Sequence, residues 1–179
     1  MAIIAAMALL AARAPWEREE TVQGAASVVD GDTILLLGTR VRLSEIDAPE
    51  IAQTCMDPSG LAYACGERAR SALIELIGGR QVTCAGRGLD RYGRLLGRCS
   101  AGATDLNRAM VEAGWAVAYG DFNDAQAVAR QESRGLWAGI FDQPQEWRRL
   151  HGAIDDGDDR GFFARLFNFW HMSRYPSDD

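Results

Sequence analysis

The chain has no Lys: all 19 of its basic side chains are Arg. Genome composition explains that as well as phosphate binding does, so the absence selects no partner by itself. Only two His are present, His151 and His171, and neither stands in a motif. That argues against a histidine-ligated metal centre and against chemistry needing paired imidazoles. The Ser residues lack a neighbouring His–Asp pattern, which argues against a serine-hydrolase triad. The four Cys (Cys55, Cys65, Cys84 and Cys99) include no C-x₂₋₄-C pair, so a structural zinc site has no ligand frame. No apolar run reaches the roughly 20 residues that a membrane-spanning helix needs.

What is present suits one domain with extensions: 179 residues, 47% of them hydrophobic. The net charge of −6 argues against tight packaging of a polyanion. Its distribution is uneven, because Arg80, Arg87, Arg91, Arg94 and Arg98 stand close together with Asp90 as the sole acid among them. The N-terminal run Ala2–Ala12 resembles the apolar region of a secretory signal, with Ala12-Arg13-Ala14 as a small-residue cleavage site. A mis-assigned start or an apolar N-terminal helix is the other reading. Residues 1–23 are thus a signal-like segment and linker, 24–151 the domain, and 152–179 a tail. The tail has an acidic turn at Asp155–Asp159 and an aromatic stretch, Gly161–His171. It docks on the domain, trails loosely, or meets a membrane surface or a protein partner.

Within the domain, Ala25–Val29 and Thr33–Leu37 read as strands broken by Asp30-Gly31-Asp32, and Arg40–Ile46 returns after the Gly38-Thr39 turn. Ile51–Ala64 reads as a loop. Glu67–Ile77 has apolar residues at helical spacing and stops at Gly78-Gly79. Gln81–Gly86 and Leu95–Cys99 form a second hairpin. Asp105 caps a helix to about Ala113, Trp115–Tyr119 is a short strand, and Asp124–Arg134 is a third helix closed by Gly135. Strands followed by alternating helix and strand give a small mixed barrel. If Arg91 and Tyr92 are the two central turn residues, Cys84 faces Cys99 across the hairpin, within disulfide reach. Cys55 and Cys65 then remain to close a loop. Four reduced thiols in a cytosolic protein are the other possibility.

The chemistry concentrates in V-V-D-G-D-T-I-L-L-L-G-T-R-V-R-L-S-E-I-D-A-P-E (Val28–Glu50) and in D-R-Y-G-R (Asp90–Arg94). Carboxylates able to hold a hard cation, one further carboxylate and two guanidinium groups suit phosphodiester hydrolysis. A lone Asp pair in D-G-D would only build a turn. Asp32 with Asp47 points further, since a turn does not need the second acid. Arg42 and Asp47 differ by five, so a regular strand would set them on opposite faces. A bulge or bend near Ser44–Ile46 must re-aim one of them.

In order and spacing these segments resemble the thermonuclease, or staphylococcal-nuclease-like, family. D-L-N-R-A-M-V-E-A-G-W-A (Asp105–Ala116) and S-R-G-L-W (Ser133–Trp137) extend the resemblance over roughly Gly24 to His151. It implies an α+β, mainly β domain: a five-stranded oligonucleotide/oligosaccharide-binding barrel with three helices. It also implies Ca²⁺ held by Asp32, Asp47 and the Ala48 backbone carbonyl. Glu50 becomes the general base, or the group that orients the water, and Arg42 and Arg94 clamp the phosphate. Tyr92, Tyr119 and Arg91 become substrate contacts, although Asp121 stands where the family often has a second aromatic. The implied substrates are single- and double-stranded DNA and RNA, cut at P–O5′ to leave 3′-phosphates, with no obligate oligomer. A module of the same fold that binds without cutting is the rival, but it would be expected to lose the Arg–Glu set. The cysteines and the N-terminus favour a secreted or periplasmic protein over a cytoplasmic one.

Overall fold

The computed structural model describes residues 19–151. The signal-like segment and the acidic and aromatic tail lie outside the described residues. Alternation along two strands, β3 (Thr33–Leu36) and β4 (Thr39–Leu43), sets the core face. Ile34, Leu36, Val41 and Leu43 are fully buried there, while Leu35 between them is exposed. Around this hairpin the chain adds β1 (Glu20–Gly24), β2 (Ala26–Val28), β8 (Val82–Leu89), β9 (Leu95–Ala101) and β10 (Thr104–Asp105). These make one seven-stranded sheet in the order β1-β8-β9-β4-β3-β2, with β10 beside β9. Only the β4–β9 pairing is parallel within this sheet. Two smaller pairs complete the strands: β5 (Ile46–Asp47) with β11 (Val117–Ala118), and β6 (Thr54–Met56) with β7 (Ala62–Ala64).

The curled sheet closes on helices α1 (Cys65–Ile77) and α2 (Leu106–Glu112). Ala69, Leu73 and Ile77 of the first and Leu106, Met110 and Val111 of the second join the strand residues in one apolar core. Helix α3 (Asn123–Gln131) covers its side through Ala125 and Ala129. The class is the mixed, mainly β barrel expected. The details differ at four places. The main sheet has seven strands where five were expected. The polar residues read as linker enter the sheet as β1. The stretch read as the loop Ile51–Ala64 contains the β6–β7 hairpin. A fourth helix, α4 (Pro144–His151), follows the three expected ones. Caps behave as read: Asp105 accepts from the Arg108 backbone N–H at 3.0 Å, and Gly78 ends α1 with φ 57°.

Both cysteine pairs form as expected, Cys84 with Cys99 and Cys55 with Cys65. The first spans 15 residues, a loop length for which a cross-link contributes about 3 kcal/mol in the chain-entropy account. The route to that register is not the two-residue turn. Asp90 N–H donates to Arg94 C=O at 2.9 Å, leaving Arg91, Tyr92 and Gly93 as a three-residue loop. Gly93 supplies its left-handed residue at φ 76°. A bulge between Gly86 and Leu89 then shifts the pairing back by one, and Cys84 faces Cys99 after all.

Candidate active site

The bend required between Arg42 and Asp47 sits at Glu45, which has φ 66°. Its neighbour Ser44 is pinned on both sides: Ser44 N–H donates to Gly97 C=O at 2.9 Å, and its C=O accepts from Asn107 Nδ2 at 2.9 Å. Asn107 is fully buried and also accepts from Cys99 N–H, so one amide ties the bend to β9. The kink turns Asp47 back toward Arg42. Arg42 Nη1 reaches Asp32 Oδ1 and its Nη2 reaches Asp47 Oδ1, each at 2.7 Å. One planar guanidinium therefore holds the two carboxylates side by side. Asp32 is fixed further by Ala48 N–H at 3.0 Å and by the Thr33 hydroxyl at 3.1 Å. Asp30 keeps the turn role read for it, accepting from Asp32 N–H at 2.9 Å.

Glu50 follows Pro49 on the rim, next to the first turn of α1. Gly66 is what allows that approach: a Cβ there would lie 1.8 Å from the Glu50 carbonyl oxygen. Gly66→Ala is therefore expected to push Glu50 off its position. Turnover should drop by about 10²-fold, the usual consequence of a displacement near 1 Å. Kinetics beside a melting curve checks this, and unchanged kcat in the folded variant would count against it. The Glu50 carboxylate accepts from Arg148 Nη1 at 2.7 Å. Arg148 comes from α4 and simultaneously grips Asp47, at 3.0 Å through Nη1 and 2.9 Å through Nη2.

Arg94 arrives from the hairpin loop. Asp90 aims it, accepting from Arg94 Nε at 2.8 Å and from the Arg94 and Tyr92 backbone N–H groups at 2.9 Å each. The Arg91 and Arg94 guanidiniums lie 4.5 and 5.2 Å from the Tyr92 ring centre. Asp32, Arg42, Ala48, Glu50, Arg91, Tyr92 and Arg94 all line one cleft, joined by Arg40 and Arg148. Asp47 and Tyr119 face an adjoining hollow, and Arg42 and Arg148 line both. Tyr119 thus stands apart from Tyr92, on the far side of the two guanidiniums.

The electrostatics follow from four carboxylates crowded at a dry wall. Burial chiefly pushes Asp32 up to about 7, with Asp30 and Asp47 adding to it against the pull of Arg42. Burial likewise raises Asp30, and it raises Glu50 against the pull of Arg148. Burial works against the charge on Arg42, but Asp32 and Asp47 outweigh it and hold the guanidinium above its usual pKa. Burial would raise Asp90, yet the Arg94 and Tyr92 hydrogen bonds keep it below the usual carboxylate range.

Among the described residues no group of three or more His, Cys, Asp and Glu is arranged to hold a metal by side chains alone. What the site offers is two carboxylates, Asp32 and Asp47, held side by side by Arg42. Burial raises Asp32 first, and the neighbouring Asp30 and Asp47 charges raise it further, a repulsion that a hard cation relieves. The donors fit a hard divalent cation that completes its shell with water and substrate oxygens. Sequence reading missed Arg148. Pro144 at the first helical position, Glu146 in the first turn and Arg148, Arg149 and His151 in the last were the available signals for its helix.

A family model described as staphylococcal nuclease homologue matches residues 40–139. The chain is 37% identical to a micrococcal nuclease of Shigella flexneri over 83% of this chain and 91% of that protein. It is 42% identical to the succinoglycan biosynthesis protein ExoI of Rhizobium meliloti, over 66% of this chain and 65% of that protein, so it spans under two thirds of that relative. An uncharacterized endonuclease of Haemophilus influenzae is 33% identical over 74% of this chain and 75% of its own length. Helix α4, with Arg148, lies beyond the residues the family model matches.

Proposed function

The chain belongs to the staphylococcal nuclease family, and we propose that it hydrolyses the phosphodiester bonds of DNA and RNA with little base preference. The proposal includes Ca²⁺ as the cation and cleavage of the P–O5′ bond to leave 3′-phosphate ends. One observation carries it: Glu50, Arg42 and Arg94 open on a single cleft beside the paired Asp32 and Asp47. A water next to Glu50 gives that carboxylate a proton as its oxygen bonds to phosphorus. The P–O5′ bond breaks on the opposite side, and the leaving oxygen takes a proton from solvent. Arg42 and Arg94 hold the non-bridging oxygens and offset the charge gathering there.

Held by Asp32, Asp47 and the Ala48 carbonyl, a divalent cation would neutralise charge on the same phosphate. In this reading Arg91 and Tyr92, in the cleft, and Tyr119, at the adjoining hollow, touch neighbouring nucleotides by stacking or through phosphate. Two disulfides support residence in an oxidising compartment, outside the cytoplasm.

The test is hydrolysis of single-stranded and duplex DNA and of RNA by the full chain, with Ca²⁺ or with chelator. A cation at the phosphate supplies several kcal/mol, so chelation is expected to slow cutting by at least about a hundredfold. End-labelled products should carry 3′-phosphates. Binding without turnover in Ca²⁺, Mg²⁺ or Mn²⁺ would sink the reading and leave a binding module.

A further inference from the structure

We infer that Arg148 is the positioning residue of the Glu50 base, and that α4 is therefore part of the catalytic unit; this rests on the hydrolase reading above. Glu50 sits in a loop after Pro49, with a long side chain and three carboxylates nearby to repel it. Left to itself, that carboxylate would swing toward solvent. Asp47 is the opposite case, buried in β5 and already gripped by Arg42. Arg148 ties the loose acid to the fixed one. Its Nη1 is shared between Glu50 Oε1 at 2.7 Å and Asp47 Oδ1 at 3.0 Å, while Nη2 closes a second bond to Asp47 Oδ2 at 2.9 Å. Two bonds to Asp47 set the plane of the guanidinium, and the plane sets where Glu50 must lie.

An ordinary surface ion pair joins one acid to one base and contributes little. Here the backbone makes the same connection as the side chains. Gln53, fully buried, accepts from Glu50 N–H at 3.3 Å and donates to the Asp142 carbonyl at 2.8 Å, just ahead of α4. Glu50 and the start of α4 are thus linked once through Gln53 and again through Arg148. The fold holds both ends of the bridge. Arg42 points its Nη1 and Nη2 at Asp32 and Asp47, and the bond to the Glu50 carboxylate comes from Arg148 instead.

The experiment is kinetics of the full chain on a DNA oligonucleotide in Ca²⁺. It compares wild type, Arg148→Ala, Arg148→Lys, Glu50→Gln and the double variant Glu50→Gln/Arg148→Ala. Arg148→Ala should lose about ten- to a hundredfold in kcat, as a misplaced base does, with KM changed less than about threefold. Arg148→Lys should recover little of it, because one ammonium cannot span both carboxylates in a plane. Methylguanidinium added to Arg148→Ala should restore part of the rate. In the Glu50→Gln background, Arg148→Ala should cost nothing further, since it acts through the group already removed.

Additive losses in the double variant would overturn the inference, as would a loss confined to KM, which would make Arg148 a phosphate contact. Full activity in Arg148→Ala would overturn it too. Should Arg148→Ala fail to fold, the Lys variant and its double with Glu50→Gln decide the same question. A wild type that binds but does not cut removes the hydrolase reading and this one together. A wild type that cuts with an indifferent Arg148 removes this one alone.

Discussion

Glu50→Gln should lower kcat by about 10²–10⁴, the range general-base catalysis supplies. The amide matches the carboxylate in size and still offers an oxygen to Arg148 Nη1, so the bridge to α4 has no steric reason to break. What is lost is the ability to take a proton from water. Nothing else in the cleft replaces it. Asp32 and Asp47 are occupied by Arg42, Arg148 and Ala48 N–H, and Asp30 is turned into its own loop. Burial raises the Glu50 carboxyl above its ordinary value, which makes it a better proton acceptor than an exposed Glu. Single-turnover cutting of an oligonucleotide in saturating Ca²⁺ isolates the chemical step. A rate within about threefold of wild type would show that Glu50 neither takes the proton nor orients the water.

The second large effect is expected at Arg42, where activity and stability should fall together. Arg42→Met leaves Asp32 and Asp47 buried side by side with half their compensation gone. Breaking a buried ion cluster from one side typically costs about 3–5 kcal/mol; here Asp47 keeps Arg148 while Asp32 loses the guanidinium against it. Only 14% of the Arg42 side chain is exposed, so water cannot step in fully. At the phosphate, loss of one preorganised donor removes about 10²–10³ in kcat. Urea denaturation with chelator present measures the first quantity and oligonucleotide kinetics the second. A variant as stable as wild type would mean that Asp32 and Asp47 do not depend on Arg42. A variant as active would remove it from the phosphate clamp.

The two outcomes reflect what could and could not be read from the chain. Asp32, Arg42, Asp47, Glu50 and Arg94 were legible because they cluster in short segments whose chemistry is unusual in combination. The Arg42–Asp47 conflict was legible as a conflict, and its resolution at Glu45 was not. The bend depends on Asn107, 63 positions from Ser44, whose amide pins it. The pairing of Cys84 with Cys99 was reached through a turn that does not exist, since a longer loop and a bulge cancel. Arg148 escaped for another reason. Its contacts with Asp47 and Glu50 span 101 and 98 positions, and nothing local distinguishes it from Arg149 beside it. Arg149 pairs with Glu146 on the exposed face, as most helix-surface arginines do. Strand β1 was hidden because its partner, β8, lies some 60 residues on, and short polar strands carry little signal alone.

The bridge from α4 to Glu50 also orders events in time. Synthesis runs from Asp32 toward Arg148, so the residue that steadies the base is the last of the set to be made. Until α4 is made, the chain carries Glu50 and its neighbours without the guanidinium that ties Glu50 to Asp47. Shortening the chain ahead of Arg148 therefore removes one side of the bridge while every motif segment stays in place.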